Sequence, residues 1–264
     1  MKQRIVTSLV LLPPLVAVLA LGATWPLAAL CLIVLVLCHR ELSELLGERG
    51  ALPVLGVAAF FLGIWLEGWS AGFGEPALQG CLALFTVAGV AGAFLARGWV
   101  ADQVGGLWIA CPLAALCRLH LLGSPGTVWN WGGLIWLAVV PVWAGDIAGM
   151  LVGRRFGRHA LAPRISPGKT WEGAVGNLLA CLAASGFLGW MLGVPWWIWA
   201  STGAAIGVFG QIGDLLQSAL KRRAAVKDSG HLLPGHGGLF DRIDSLLLGS
   251  LASSGILAAW LSQR

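Results

Sequence analysis

Charge is scarce in this sequence. Asp, Glu, Lys and Arg together make up 11% of its 264 residues, whereas a soluble globular domain carries about 25%. So few charges cannot cover a surface in water, which excludes a soluble globular fold and leaves an integral membrane protein. Long polar stretches are also missing, so there is no room for a second, soluble domain. The six cysteines (Cys31, Cys38, Cys81, Cys111, Cys117 and Cys181) all sit in apolar runs. None makes a C-x-x-C pair or alternates with histidine at zinc-ligand spacing, so they read as small buried hydrophobes. Tyrosine is absent, against fifteen tryptophans, and the clusters "PWWIW" and "VWNW" lie at the ends of apolar runs, where indoles anchor helices at the membrane interface. There is no internal repeat, coiled-coil heptad or low-complexity tract.

What the chain has in abundance is apolar sequence, at 58%. A spanning helix needs about 20 mostly apolar residues, and nine runs approach that length: 5–23, 25–38, 51–66, 76–96, 105–122, 131–152, 173–192, 195–219 and 243–261. The expected fold is an all-α integral membrane protein, a bundle of about nine transmembrane helices in one polytopic domain over 1–264. Within it, N-terminal spans occupy 1–125 and the more polar C-terminal spans 130–262. The first run, with Lys2 and Arg4 ahead of its apolar stretch, reads as a signal anchor that stays in place as a span.

The basic residues orient this bundle. With the N-terminus in the cytoplasm, one face receives Lys2, Arg4, Arg40, Arg49, Arg97, Arg154, Arg155, Arg158, Arg164, Lys169, Lys221, Arg222, Arg223, Lys227 and Arg242. Only Arg118 and Arg264 fall on the other, so fifteen of seventeen obey the positive-inside rule. Confinement of the net +5 charge to short loops argues against a nucleic-acid partner.

Ionisable groups against or within spans are expensive unless used, and few occur. Asp146 lies near the end of the sixth run and Asp214 inside the eighth. At helical spacing, Gln211, Asp214, Ser218 and Lys221 share one face, which serves either as an interhelical polar contact or as part of a site. Asp241 and Asp244 open the ninth run, where carboxylates either complement a helix dipole or, together with Asp214, hold a hard divalent cation. Between these runs lies "KDSGHLLPGHGGLFDRIDS", in which Gly235, Gly237 and Gly238 stand among Lys227, His236 and Arg242. Glycines let backbone N–H groups approach an anion, and the three side chains suit phosphate. A second polar loop, "RRFGRHALAPRISPGKTWEG", contributes Ser166, Lys169, Thr170 and Glu172. Its "GKT" is not a phosphate-binding P-loop, because that pattern needs glycine where Pro163 stands. Loops 153–172 and 220–242 are thus expected together on the cytoplasmic face.

The stretch from Ser218 to Asp244 resembles the signature of the phosphatidate cytidylyltransferases, or CDP-diglyceride synthetases. That pattern runs S-x-x-K-R, four residues, K-D, then a short spacer to H-G-G-x-x-D-R-x-D. Its places are filled here by Ser218, Lys221, Arg222, Lys227, Asp228, His236, Gly237, Gly238, Asp241, Arg242 and Asp244. The resemblance reaches upstream through "GDLLQS" and "GDIAGMLVGRRFGRHALAPRISPGKTWEG", although the family often has Ala-Tyr where this chain has Gly149-Met150. It covers about residues 140–250; the first five spans match only in hydrophobicity.

The resemblance implies that CTP and membrane phosphatidate give CDP-diacylglycerol and pyrophosphate at the cytoplasmic face of the inner membrane. In the resulting assignment, Asp214, Lys221, Lys227, Asp228 and Asp241 are catalytic. Ser166, Lys169, Ser218, Arg222, His236, Gly237, Gly238 and Arg242 bind substrate. Asp214, Asp241, Asp244 and Asp146 hold Mg2+, with room for a second cation. A homodimer is also implied by the family. Two other classes use similar parts. A CTP-dependent polyprenol kinase has similar needs, and a transporter would use Asp146 and Asp214 as ion ligands but not the basic glycine loop. A CDP-alcohol phosphotransferase would show D-G-x-x-A-R, which is absent.

Overall fold

Backbone groups in lipid must be satisfied within the segment that carries them, so apolar runs here can cross a membrane only as helices. The structure, a computed structural model, describes residues 13–20, 24–48, 52–65, 70–122, 133–232 and 237–263. Helix α1 covers 13–20. It is followed by α2 (Thr24–Leu45), α3 (Val54–Trp65), α4 (Ser70–Leu95), α5 (Gly98–Gly105), α6 (Leu107–Leu122) and α7 (Ile135–Phe156). A hairpin of β1 (Ala160–Ala162) and β2 (Ser166–Thr170) leads into α8 (Trp171–Met191) and α9 (Trp196–Arg223). A 3-10 turn (Phe240–Arg242) then precedes α10 (Asp244–Leu261).

Six helices among the described residues are long and apolar enough to cross a membrane, and a seventh, Val54–Ile64, is apolar but short. The protein is therefore an all-α membrane protein, and among the described residues six of the expected spans meet both length and apolarity. The fifth run is longer than expected, because α5 and α6 join into one candidate span over Gly98–Leu122. Helix α9 has the length but not the apolarity, since it carries Gln211, Asp214, Gln217, Ser218 and a cluster of cations at its end. Most of the first run lies outside the described residues.

Helix α6 is the hub of the core, with Trp108, Ile109, Cys111 and Leu119 all buried, and α2, α3, α4 and α10 pack around it. Helices α7 to α10 pack on one another as a second group, joined to the hub through α10. Several tryptophans stand exposed near helix ends, among them Trp25, Trp99, Trp171, Trp190 and Trp196, as interfacial anchoring requires.

The helix ends that matter gather at one end of the bundle. Arg223 at the end of α9 donates to the carbonyl of Phe94 at the end of α4. Arg222 Nε donates to the Ile165 carbonyl in the hairpin at 3.2 Å. The hairpin was not anticipated: its strands pair antiparallel, with Ala160 opposite Thr170 and Ala162 opposite Ser166. The "GKT" that mimics a P-loop supplies the last strand residues and the cap of α8, where the Thr170 hydroxyl accepts from Gly173 N at 3.1 Å. Glu172 closes the turn from the other side, accepting from the backbone N–H groups of Arg158 and His159 and contacting His159 Nδ1 at 2.7 Å.

Candidate active site

Four residues of α9 recur every three or four positions on one face, and the structure gives each a partner. Gln211 Nε2 donates to the Ala174 carbonyl at 3.2 Å and to Asn177 Oδ1 at 3.3 Å, both on α8. Asn177 Nδ2 in turn reaches Asp146 Oδ1 of α7 at 3.4 Å. One helical turn nearer the hairpin, Asp214 accepts from Ser218 Oγ at 3.3 Å and forms an ion pair with Lys169 of β2. Lys221 ends the series with Nζ 2.6 Å from Asp241 Oδ1.

Asp241 has more partners than Lys221. Its Oδ2 accepts from Ser229 N at 2.8 Å and Gly238 N at 3.2 Å, so both oxygens are engaged within the protein. Burial alone would raise this carboxyl, but the Lys221 ammonium and the two N–H donors outweigh it and hold Asp241 below the usual aspartate value. Because folding lowers its pKa, the ionised carboxylate stabilises the fold at every pH above that usual value. The contribution is lost only as pH falls through the depressed folded value.

The loop around Asp241 is pinned from outside the α7–α10 group as well. Phe240 is fully buried, edge-on to Trp108 of α6 with ring centroids 5.6 Å apart. Two signature glycines meet separate demands. Gly237 takes a left-handed φ of +79°, which disfavours any side chain. At Gly238 an added Cβ would lie within 2.0 Å of Ser229 Oγ and 2.4 Å of Glu41 Oε2. Read from sequence as an anion cradle, Gly238 here gives its N–H to Asp241.

Between α7, α8, α9 and the start of α10 lies a cavity of about 650 Å³, within the range of small-molecule sites. Asp146, Lys169, Asp214, Asp241, Arg242 and Asp244 all line it. Asp146, Asp214 and Asp244 interact electrostatically with one another, three carboxylates facing a shared space. Asp244 is the first residue of α10, and its Oδ1 accepts from Ser245 N at 2.8 Å. Asp241 lies in the preceding turn and is committed to Lys221, so the two aspartates expected to act from one helix face do different things.

The other expected residues that the structure describes are not in the cavity's lining. Ser218 and Lys221 back it through Asp214 and Asp241. Arg222 binds the carbonyls of Ile165 and Val226, tying the two polar loops together. Ser166 starts β2 and is half-buried, and Lys227 and Asp228 are exposed on the loop that follows α9. His236, like Gly235, lies outside the described residues.

A family model described as "Cytidylyltransferase family" matches residues 2–258, nearly the whole chain. The chain belongs to the cytidylyltransferase family. It is 37% identical over 277 residues to the phosphatidate cytidylyltransferase of Pseudomonas aeruginosa, covering 93% of each chain. Its likeness to the phosphatidate cytidylyltransferase of Bacillus subtilis is 38% over 149 residues, 55% of each chain, and to that of Brucella suis 40% over 152 residues, 57% of this chain and 54% of the relative. The resemblance read from the signature thus extends through the N-terminal spans that hydrophobicity alone had matched.

Some residues at this cavity and the loop beside it went unread in the sequence. Arg154 lines the cavity but was grouped with the orientation signals of its loop. Asn177, the only amide in α8, gave a signal that was there to be read, a carboxamide within an apolar run. Glu41 gave none, because its partners are nearly two hundred residues away in sequence.

Proposed function

We propose that the cavity binds CTP at the cytoplasmic face of the inner membrane and that the protein transfers its cytidylyl group to phosphatidate. The products are CDP-diacylglycerol and pyrophosphate. The observation that carries this reading is one cavity lined by both cations and carboxylates, at the loop end of a membrane bundle of the cytidylyltransferase family.

The chemistry asks little of a base. A phosphate monoester is largely dianionic near neutrality, its second pKa being about 6. A phosphatidate oxygen attacks the α-phosphorus of CTP and forms the new P–O bond. The bond from that phosphorus to the bridging oxygen breaks, and pyrophosphate leaves with the electron pair. What must be supplied is positioning of two polyanions and positive charge where the leaving group develops. Lys169, Arg154 and Arg242 supply cations along the cavity, and Lys221 stands behind Asp241.

Asp146, Asp214 and Asp244, which line the cavity together, are the residues from which a magnesium ion would draw one or two ligands. They crowd three negative charges around one space, with Lys169 directly paired to Asp214. Among the described residues no group of three or more His, Cys, Asp or Glu is placed to hold a metal ion by itself, so the ion would take the rest of its shell from the nucleotide. Mg2+ needs only one or two carboxylates when phosphates and water complete its shell. When bound, the metal would neutralise charge on the nucleotide phosphates. Asp241 stays with Lys221, because its second oxygen also holds the Ser229 and Gly238 N–H groups that fix the turn.

The deciding experiment supplies purified protein with labelled CTP and phosphatidate. Pyrophosphate is expected one-for-one with CDP-diacylglycerol. Transfer of the γ-phosphate to a lipid alcohol would replace this reading with a polyprenol kinase.

The orientation rests on the fifteen basic residues assigned to one face. A cysteine in place of Val226, an exposed loop residue, tests it in a background lacking the native cysteines. In sealed vesicles it should be labelled from the cytoplasmic side. Labelling from the outer side alone would reverse the topology.

A further inference from the structure

We infer that Glu41, near the end of α2, is a positioning residue for the transfer reaction, holding Ser229 and the Leu239–Asp241 turn in their working places. The inference rests on the reading that this turn serves the CTP end of the site. Glu41 is buried, 6% exposed, far from the signature in sequence. Its Oε1 accepts from Leu239 N at 2.9 Å, and its Oε2 accepts from Phe240 N at 2.8 Å and from Ser229 Oγ at 2.9 Å. One carboxylate thus gathers three donors from both ends of the loop. Two of those donors are backbone groups at the turn that carries Asp241, and the third belongs to the residue whose own N–H binds Asp241 Oδ2. Glu41 and Asp241 therefore clamp the same segment from opposite sides, one anchored to α2 and the other to Lys221 of α9.

The clamp has a firm base. On another face of α2, Ser43 donates to Asp102 of α5, and His39 Nε2 lies 3.3 Å from the second oxygen of that carboxylate. Gln103 Nε2 binds Asp102 Oδ2 at 3.0 Å and the Leu52 carbonyl at 2.8 Å. These buried side chains lock the end of α2 against α5 and the start of α3, so Glu41 is presented by a braced helix. The tight space at Gly238 has the same origin, since a Cβ there would collide with the Glu41 carboxylate. An anionic acceptor suits this place better than an amide. Glutamine would offer one oxygen and aim an N–H2 group at N–H and O–H donors.

Glu41→Gln tests the inference in the full-length purified enzyme, with Glu44→Gln as the control because Glu44 is an exposed neighbour paired to Arg40 of its own helix. Loss of charge-assisted bonds to a buried carboxylate predicts a fall in kcat of about tenfold or more. KM for CTP should rise and KM for phosphatidate hold, and this pattern should persist in the folded fraction at temperatures below a thermal midpoint lowered by the lost bonds. The control should match wild type. If Glu41→Gln accumulates poorly, Ser229→Ala removes a single donor and is expected to show a smaller shift of the same kind. Activity falling only in step with the folded fraction, with KM for CTP unmoved, would make Glu41 a fold-stabilising residue and overturn the inference. Wild-type kinetics in Glu41→Gln beside an inactive Asp241→Asn would overturn it and leave the site intact. Wild-type kinetics in both would overturn the reading of the site itself.

Discussion

Asp214→Asn is expected to lower turnover by about 10²–10³, the loss typical of removing one well-placed charged contact from a water-poor catalytic site, and to leave the folded protein intact. Asparagine matches aspartate in size and still offers an oxygen to Ser218, so packing within α9 has no reason to change. The charge does change. Asp214 is the ion-pair partner of Lys169 and one of three carboxylates that repel across the cavity. Removing its charge relieves that repulsion and leaves the quarter-exposed Lys169 to Asp146 and water. The two effects offset, so the thermal midpoint should change little even as activity disappears. A residue needed only for folding would do the reverse. The measurement is initial rate over a magnesium titration at saturating CTP and phosphatidate. Loss of the metal site predicts that high magnesium does not restore the rate. Normal turnover with normal magnesium dependence would remove Asp214 from the mechanism and with it the proposed metal site.

How much of this was legible in the sequence depended on how far each signal travels along the chain. Apolar runs are local, so the limits of α8, α9 and α10 fall within a few residues of the runs that predicted them. The shared face of Gln211, Asp214, Ser218 and Lys221 is also local, and the helix presents it as its 3.6-residue period requires. The hairpin was missed because "ALAPRISPGKT" has no alternating apolar pattern. It is held by backbone pairing and by Glu172 and Thr170 at its base, not by a buried face. The partner of the glycine turn at Gly237 and Gly238 was not legible for a related reason. Composition shows that the backbone can turn there, not which acceptor its N–H groups will find, and Asp241 three residues on takes the one from Gly238. Glu41 lay beyond any such reading. Its carboxylate meets donors 188, 198 and 199 residues away in sequence, and only the packing of α2 beside α6 and the 3-10 turn brings them together.

The pair of Lys221 and Asp241 should give the other large effect, and its single and double variants should behave differently. The side chains are 13% and 7% exposed, so the pair is largely removed from water. Removing one member of a fully buried pair costs about 3–5 kcal/mol, because the other charge is left without compensation. The cost here is lower, since Lys221 retains some solvent. Lys221→Met strands a carboxylate that still binds Ser229 N and Gly238 N. Asp241→Asn strands an ammonium and leaves one oxygen for those two N–H groups. Each single variant is therefore expected to lose both thermal stability and, by about 10²–10³, turnover. Combining them leaves no uncompensated charge, so the thermal midpoint should recover toward wild type. Turnover should not recover, because the double variant lacks both the cation behind the cavity and the full clamp on the loop. The cycle needs only thermal unfolding in detergent and rate measurements on four proteins. A double variant that regained turnover along with stability would show the pair to be a structural brace and would take Lys221 and Asp241 out of the chemistry.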